Sequence, residues 1–139
     1  VASGRTGADF GLKPAMTLST RLISAQRIKK GEHVGYSGTY QCPEDMLVGV
    51  AAIGYGDGYP RNIEPGTPVL VNGKRAPIVG RVSMDLITID LRNQPDARVG
   101  DEVVLWGAGL PIEEIAAAAN TISYELTCSI TRRVRFTEV

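Results

Sequence analysis

The chain has 139 residues with 15 basic and 15 acidic side chains, so its formal net charge is zero and a nucleic-acid or polyanion-binding surface is not expected. Its length suits one domain with one hydrophobic core. The apolar runs are far shorter than the ~20 residues of a membrane span, and the N-terminus lacks a signal-peptide pattern, which predicts a cytoplasmic protein.

The first 15 residues differ in composition from the rest of the chain. They contain three glycines and a proline and precede the first regular apolar pattern, as is typical of an inter-domain connector. The chain also opens at Val1 rather than at a methionine. We therefore expect residues 1–15 to be a linker and residues 16–139 to be one domain of a longer protein.

Strand patterns separated by turns occupy the first half of this domain. Apolar positions in residues 16–28 alternate and then change face, which predicts a long, bent strand followed by a Lys-Lys-Gly-Glu turn. Residues 34–40 are rich in β-favouring side chains but carry two glycines, which predicts an irregular strand or a strand leading into a loop. Residues 46–53 are apolar on successive positions, as in a strand buried on both faces. The glycine-rich segment 54–61 cannot continue that strand and is predicted to be a rigid surface loop.

A second group of strands follows this loop. Asn72-Gly73 after residues 69–71 predicts a two-residue type I′ hairpin turn, with a return strand through residues 78 and 79. Residues 82–91 change face part-way and are predicted to form another bent strand. A turn at residues 99–101 precedes a short strand at 102–106.

The period then changes to that of a helix. Residues 111–119 have a proline in the first turn, acidic residues beside the positive helix end and apolar residues at helical spacing, with Asn120 as the C-cap. Residues 121–128 fit either a second short helix or a loop, and residues 130–136 fit a last strand. The pattern as a whole predicts a mainly β protein, a small barrel or a sandwich with one or two short helices; the repeated bends favour the barrel.

No complete catalytic set is visible in the sequence. His33 follows a charged turn and is expected to be a solvated loop residue, and the distant Cys42 and Cys128 are expected to be free thiols without a metal site. No lysine has the apolar surroundings that favour Schiff-base formation. Tyrosines and arginines on glycine-rich segments remain, and these suit either carboxylate or phosphate recognition or an interface. Residues 54–61 also fit a plain turn with its tyrosines on the barrel wall.

Four ordered motifs resemble the C-terminal domain of alanine racemase. They are Val-Gly-Tyr-Ser-Gly-Thr-Tyr at residues 34–40, Gly-Tyr-Gly-Asp-Gly-Tyr-Pro-Arg at 54–61, Pro-Ile-Val-Gly-Arg-Val-Ser-Met-Asp at 77–85, and Tyr124-Glu125. The second motif resembles the version found in Gram-negative bacteria. The resemblance implies a racemase of fold type III that interconverts L- and D-alanine with pyridoxal 5′-phosphate. In that family the lysine bound to the cofactor lies in an N-terminal (β/α)8 barrel that is absent here.

The resemblance also implies roles for individual residues. Tyr36 matches the second catalytic base, which reaches into the active site of the other subunit of a head-to-tail homodimer. Met84 matches the residue whose backbone N–H holds the substrate carboxylate, and Tyr124 matches the tyrosine that binds the cofactor phosphate. Residues that line the substrate entryway are matched by Tyr55, Arg61, Arg81, Asp85 and Ile122. The isolated chain is expected to be inactive.

Inversion at an α-carbon requires two bases on opposite faces, and a lysine and a tyrosine can serve in these roles. A tyrosine acts as a base at neutral pH only where neighbouring positive charge favours its phenolate, and those neighbours are expected from the partner's barrel. Two alternatives stay open from the sequence. One is a related racemase acting on serine, lysine or several amino acids, and the other is a stand-alone β-barrel interaction module.

Overall fold

A computed structural model describes residues 7–138 of the chain as a closed β barrel with two short helices. Residues 1–6 of the predicted linker, and Val139, lie outside the described residues. The strands are β1 (Leu18–Ile28), β2 (His33–Val34), β3 (Tyr40–Gln41), β4 (Met46–Ala51), β5 (Pro68–Val71), β6 (Lys74–Val79), β7 (Ile87–Asp90) and β8 (Glu102–Trp106), and the helices are α1 (Ile112–Ala118) and α2 (Ser123–Cys128). This architecture confirms the predicted fold class.

The barrel closes through antiparallel pairs in the order β1, β4, β7, β6, β5 and β8, with β8 returning to β1. The first half of β1 pairs with β8 and its second half with β4, and the register shifts between Leu22 and Ser24. This irregularity lets one strand serve both of its neighbours, as the change of face in residues 16–28 predicts. Strands β2 and β3 form a separate two-stranded hairpin.

Inward-facing aliphatic side chains fill the barrel. Ile87 and Ile89 of β7 and Trp106 of β8 are fully buried, and Tyr59 stacks on Trp106 with ring centroids 6.2 Å apart. Tyr59 therefore belongs to the core rather than to the surface loop, and burial raises the pKa of its hydroxyl. Four of the six residues of β4 are buried, which agrees with the predicted doubly covered strand.

The predicted hairpin turn and helices are present in the structure. Asn72 and Gly73 have φ of 51° and 80°, as a type I′ turn requires. Helix α1 lies within the predicted range, although Ala119 is the C-cap and Asn120 follows it with φ of 54°. Residues 121–128 contain helix α2, in agreement with the helical alternative. Within the described residues, no helix is long and apolar enough to span a membrane.

Two segments with strand patterns contain less strand than their length allows. Residues 34–40 agree with the alternative of a strand leading into a loop, because β2 ends at Val34 and Gly35, Ser37 and Gly38 adopt positive φ and turn the chain. The predicted strand 82–91 is wrong in its first half, since only Ile87–Asp90 pairs as β7. Residues 83–86 instead form a hydrogen-bonded turn, described with the site below.

The predicted last strand at residues 130–136 is also wrong. This segment forms no strand in the part of the chain that the structure describes. Its even spacing of apolar side chains arises differently: Ile130 and Val134 pack against the core, whereas Phe136 is exposed. Hydrogen bonds from Thr131 to the glycine-rich loop hold the segment at one end of the barrel rather than beside a strand.

Candidate functional site

Three loops meet at one end of the barrel, namely residues 34–40, 54–61 and 80–86, and we call this surface the tyrosine rim. The glycine-rich loop follows β4 and forms a short 3₁₀ turn at Tyr55–Asp57. The N–H of Tyr55 donates to the Ser83 carbonyl at 3.0 Å, and that of Gly56 donates to the Met84 carbonyl at 2.9 Å. A β-carbon at Gly54 would lie 2.2 Å from the Ser83 oxygen, so glycine permits this approach.

The turn at residues 83–86 is built on Ser83. Its N–H donates to the Leu86 carbonyl at 3.0 Å, and its hydroxyl accepts from the Leu86 N–H at 2.9 Å. These bonds replace strand pairing and leave the Met84 side chain 50% exposed. The N–H of Met84 has no acceptor among the described residues, so it is free to bind a ligand.

The Tyr36 loop is attached to the loop that begins at Gly80. Tyr36 and Arg81 form an isolated antiparallel bridge. The Thr39 hydroxyl connects the same two segments, donating to the Tyr36 carbonyl at 3.2 Å and accepting from the Arg81 N–H at 3.1 Å. A β-carbon on Gly35 would lie 3.5 Å from Gly80 Cα. The backbone is therefore held closely while the Tyr36 side chain is 52% exposed.

Between these loops lies an open cleft of about 800 Å³ that is lined by Tyr36, Arg61 and Arg81 among others. The Arg61 guanidinium lies over the Tyr55 ring, 5.0 Å from its centroid. Neither arginine forms an ion pair with a carboxylate of residues 7–138. Two cations without bound carboxylates and a tyrosine hydroxyl suit a small anionic ligand such as a carboxylate.

An arginine that the sequence analysis missed completes the rim. Arg133 forms ion pairs with Asp57, at 3.3 Å from Nε to Oδ1, and with Asp85. The bond to Asp85, followed by the charge of Asp57, raises the pKa of the Arg133 guanidinium. No spacing rule connects position 133 with positions 57 and 85. The only sequence signal was an arginine-rich segment that the period-two pattern assigned to a strand.

The rim contains six of the eight residues named from the resemblance, and α2 carries the other two. Ile122 is the N-cap of α2 and Tyr124 lies in its first turn, with 74% of its side chain exposed. A hydrogen bond with Cys128 raises the pKa of the Tyr124 hydroxyl. No hydrogen bond, ion pair or ring contact joins Tyr124 or Ile122 to Tyr36 within the described residues. The C-terminal end of α2 does reach the rim, since a β-carbon on Gly58 would lie 2.3 Å from the Ser129 oxygen.

The remaining candidates named from the sequence lie outside the three loops of the rim. His33 is exposed and its Nδ1 lies 3.0 Å from the Gly38 carbonyl oxygen. Cys42 is buried, Cys128 is exposed, and both are free thiols. Every lysine of the chain is exposed, namely Lys13, Lys29, Lys30 and Lys74. The described residues contain no group of three or more side chains that could hold a metal ion.

The fold and rim define a β-barrel domain that presents aromatic and cationic side chains at one end. The alanine racemase C-terminal domain family matches residues 15–137. The chain is 61% identical to the alanine racemase of Nitrosococcus oceani over 129 residues, which cover 93% of this chain and 36% of that relative. It is 53% identical to an alanine racemase of Piscirickettsia salmonis, covering 95% of this chain and 80% of that relative.

Solved structures agree with this match. The biosynthetic alanine racemase of Pseudomonas aeruginosa superposes with a TM-score of 0.92 at 48% identity, over 98% of this chain and 38% of that one. The chain belongs to the alanine racemase C-terminal domain family. It spans just over a third of the length of the Nitrosococcus relative.

Proposed function

We propose that this chain is the C-terminal domain of a cytoplasmic, homodimeric alanine racemase that interconverts L- and D-alanine with pyridoxal 5′-phosphate. Residues 1–15 would connect it to an N-terminal barrel, and residues 16–139 would form the domain. The observation that carries the proposal is the tyrosine rim, where the three longer motifs meet and leave Tyr36 half exposed beside two arginines without bound carboxylates. The family membership supports the same conclusion.

Tyr36 is the base of the proposed reaction. As a phenolate it would remove a proton from the α-carbon of L-alanine, and as a phenol it would return one, on the face opposite the cofactor lysine. The hairpin loop supports this role, because Thr39 and the Gly35–Gly80 contact hold the backbone while the phenol extends outward. Positive charge from the partner subunit would favour the phenolate.

Met84 holds the substrate carboxylate through its N–H in this proposal. The Ser83 carbonyl, which belongs to the same planar peptide unit, accepts a hydrogen bond from Tyr55, so the direction of the Met84 N–H is set before the substrate arrives. In this proposal the route to the site is lined by Tyr55, Arg61, Arg81, Asp85 and Ile122. The two arginines would attract the carboxylate end of the amino acid.

The residues present fit a supporting part in cofactor binding. Tyr124 would hold the phosphate through its hydroxyl, since it is largely exposed in the first turn of α2. The four exposed lysines lack the desolvated surroundings that a cofactor-bonded lysine needs, so that lysine would come from the N-terminal barrel. When bound, pyridoxal phosphate delocalises the charge left on the α-carbon.

The site would be completed only by assembly. Tyr36 and Met84 of the rim, and Tyr124 on α2, are each at least half exposed, which is more than such large side chains need in a monomer. A partner barrel that covers them would form the head-to-tail homodimer. The 139-residue chain alone is therefore expected to be inactive.

The test is Tyr36→Phe in the full-length protein, with Tyr40→Phe from the same hairpin as the matched control. Racemisation should fall by about 10²–10⁴-fold in Tyr36→Phe, because a positioned acid–base group is lost. It should stay near normal in Tyr40→Phe. Parallel assays of the unmodified 139-residue chain, and of serine and lysine as substrates, test the expected inactivity and the substrate assignment.

Deuterium incorporation from heavy water gives a sharper readout. In Tyr36→Phe, exchange at the α-carbon of D-alanine should persist better than that of L-alanine, because the lysine can still remove and return a proton on its own face. Equal loss for both enantiomers would make Tyr36 a positioning residue. Near-normal racemisation would place the second base elsewhere, with Tyr55 the next candidate.

A further inference from the structure

The segment after α2 is anchored on the glycine-rich loop. The N–H of Thr131 donates to the Asp57 carbonyl at 3.1 Å, and its hydroxyl donates to the Gly56 carbonyl at 2.8 Å. These bonds place Arg133 directly beside that loop. A β-carbon on Gly56 would lie 2.2 Å from Arg133 Nη1, so the guanidinium occupies the space that a side chain at Gly56 would take.

Arg133 joins carboxylates from two different loops of the rim. Its Nε lies 3.3 Å from Asp57 Oδ1, and its Nη2 bonds to Asp85 Oδ1. Asp57 is the more buried partner, with 13% of its side chain exposed against 60% for Asp85. The second oxygen of Asp57 accepts the Gly54 N–H at 2.9 Å, so the pair also holds the start of the 3₁₀ turn.

These contacts act on the peptide unit between Ser83 and Met84. The Tyr55 N–H bonds to the Ser83 carbonyl at one side, and the Gly56 N–H bonds to the Met84 carbonyl on the next peptide. Because the peptide is planar, any shift of the glycine-rich loop would rotate the Met84 N–H as well. Arg133 ties Asp57 in that loop to Asp85 in the neighbouring turn and so opposes this shift.

The ion pairs of Arg133 also reduce the negative charge of the turn that contains Met84. Asp85 directly follows Met84, so it adds a negative charge to the same turn as the N–H that would bind the amino acid's own carboxylate. An unpaired Asp85 would repel that anion, because like charges in one turn oppose each other. Arg133 offsets the charge.

We propose that Arg133 is a positioning residue for substrate binding: its ion pairs with Asp57 and Asp85 orient the Met84 N–H and neutralise Asp85. The inference rests on the proposed function, because it concerns binding of the amino-acid carboxylate. It extends that function to a residue outside the four motifs that carry the family resemblance.

The experiment compares Arg133→Met with Arg132→Met in the full-length protein. Arg132 is a matched control, because it is exposed and forms no ion pair among the described residues. Arg133→Met should raise the KM for alanine about tenfold while kcat stays within about threefold, the pattern of lost binding rather than lost chemistry. Arg132→Met should change neither. Arg133→Lys, which keeps the charge without the planar fork, should fall between.

A double variant separates positioning from general stability. Adding Asp85→Asn to Arg133→Met removes the unpaired charge and should recover part of the lost KM, whereas a purely structural role for Arg133 predicts no recovery. An unchanged KM in Arg133→Met, or the same change in Arg132→Met, would overturn the proposal.

Hydrogen exchange provides a readout that does not depend on turnover. Arg133→Met should speed amide exchange in residues 54–59 and 83–86 by about tenfold, with Arg132→Met unchanged. If the unmodified full-length protein does not racemise alanine, the proposed function fails while this measurement still decides the Arg133 contacts. Unchanged exchange in Arg133→Met would reject them.

Discussion

The barrel wall and the tyrosine rim are stabilised in different ways. In the wall, β4, β6 and β7 pair edge to edge and bury side chains such as Ile78, Ile87 and Ile89, so apolar burial of about 25 cal/mol per Å² supplies the stability. In the rim, backbone hydrogen bonds and the two ion pairs of Arg133 hold loops that expose their side chains. The wall depends on apolar side chains that fill the barrel, whereas the rim depends on the close approach of backbone segments.

Two glycines illustrate this difference. A β-carbon on Gly49 in the wall would lie 2.7 Å from Leu91 Cδ1, the end of a flexible side chain. A β-carbon on Gly54 in the rim would lie 2.2 Å from the Ser83 carbonyl oxygen and 2.5 Å from two backbone atoms of Met84. A side chain can change its rotamer, but the backbone of the rim can yield only by moving the residues that form the candidate site.

The largest expected effect on stability is in the wall. Ile89→Ala should lower the free energy of unfolding by about 4 kcal/mol, because it leaves a cavity in the closed core. Urea unfolding of the 139-residue chain, followed through the single tryptophan Trp106, measures the change. Ile23→Ala is the control, since this exposed side chain of β1 should cost far less. Equal losses would mean that burial does not dominate the wall.

The next largest effect compares a glycine of the rim with a glycine of the wall. Gly54→Ala should cost about 3 kcal/mol, because its overlap is with backbone atoms, whereas Gly49→Ala should cost about 1–2 kcal/mol through limited overpacking. Gly54→Ala should also speed amide exchange in residues 83–86, while Gly49→Ala should leave those amides protected. A larger cost at Gly49 than at Gly54 would contradict the distinction between the regions.

The smallest effect concerns a surface pair between β6 and α1. The Arg75 hydrogen bonds lower the pKa of the Glu114 carboxyl. The pair therefore contributes stability above the unfolded-state pKa, and that contribution is lost as the pH falls through the folded-state value. Both side chains are substantially exposed, so Arg75→Met should cost only about 0.5 kcal/mol at pH 7.

Urea midpoints of Arg75→Met and the unmodified chain, measured at pH 7 and at pH 3, test this sign. The difference between the two proteins should shrink at the lower pH, because the unfolded chain binds a proton at Glu114 more readily than the folded chain does. A difference that grows on acidification would show that the pair does not act through the lowered pKa.

Local sequence determined much of the wall and its turns. Asn72-Gly73 specifies a type I′ turn because both residues tolerate positive φ, and the successive apolar residues of β4 specify a strand covered on both faces. The change of period at residue 111 predicts α1 because helix spacing and first-turn charges are properties of neighbouring residues. The family resemblance likewise depends on short contiguous motifs.

Only the tertiary structure decided how the rim is built. The patterns of residues 82–86 and 130–136 look like strands, but Ser83 bonds to Leu86 and Tyr55, and Thr131 bonds to the glycine-rich loop. The ion pairs of Arg133 join positions 57, 85 and 133, which no local period connects. An alternating sequence pattern shows which side chains are apolar. It does not show the partner of a backbone N–H or a guanidinium, because that depends on which distant segments the closed barrel brings together.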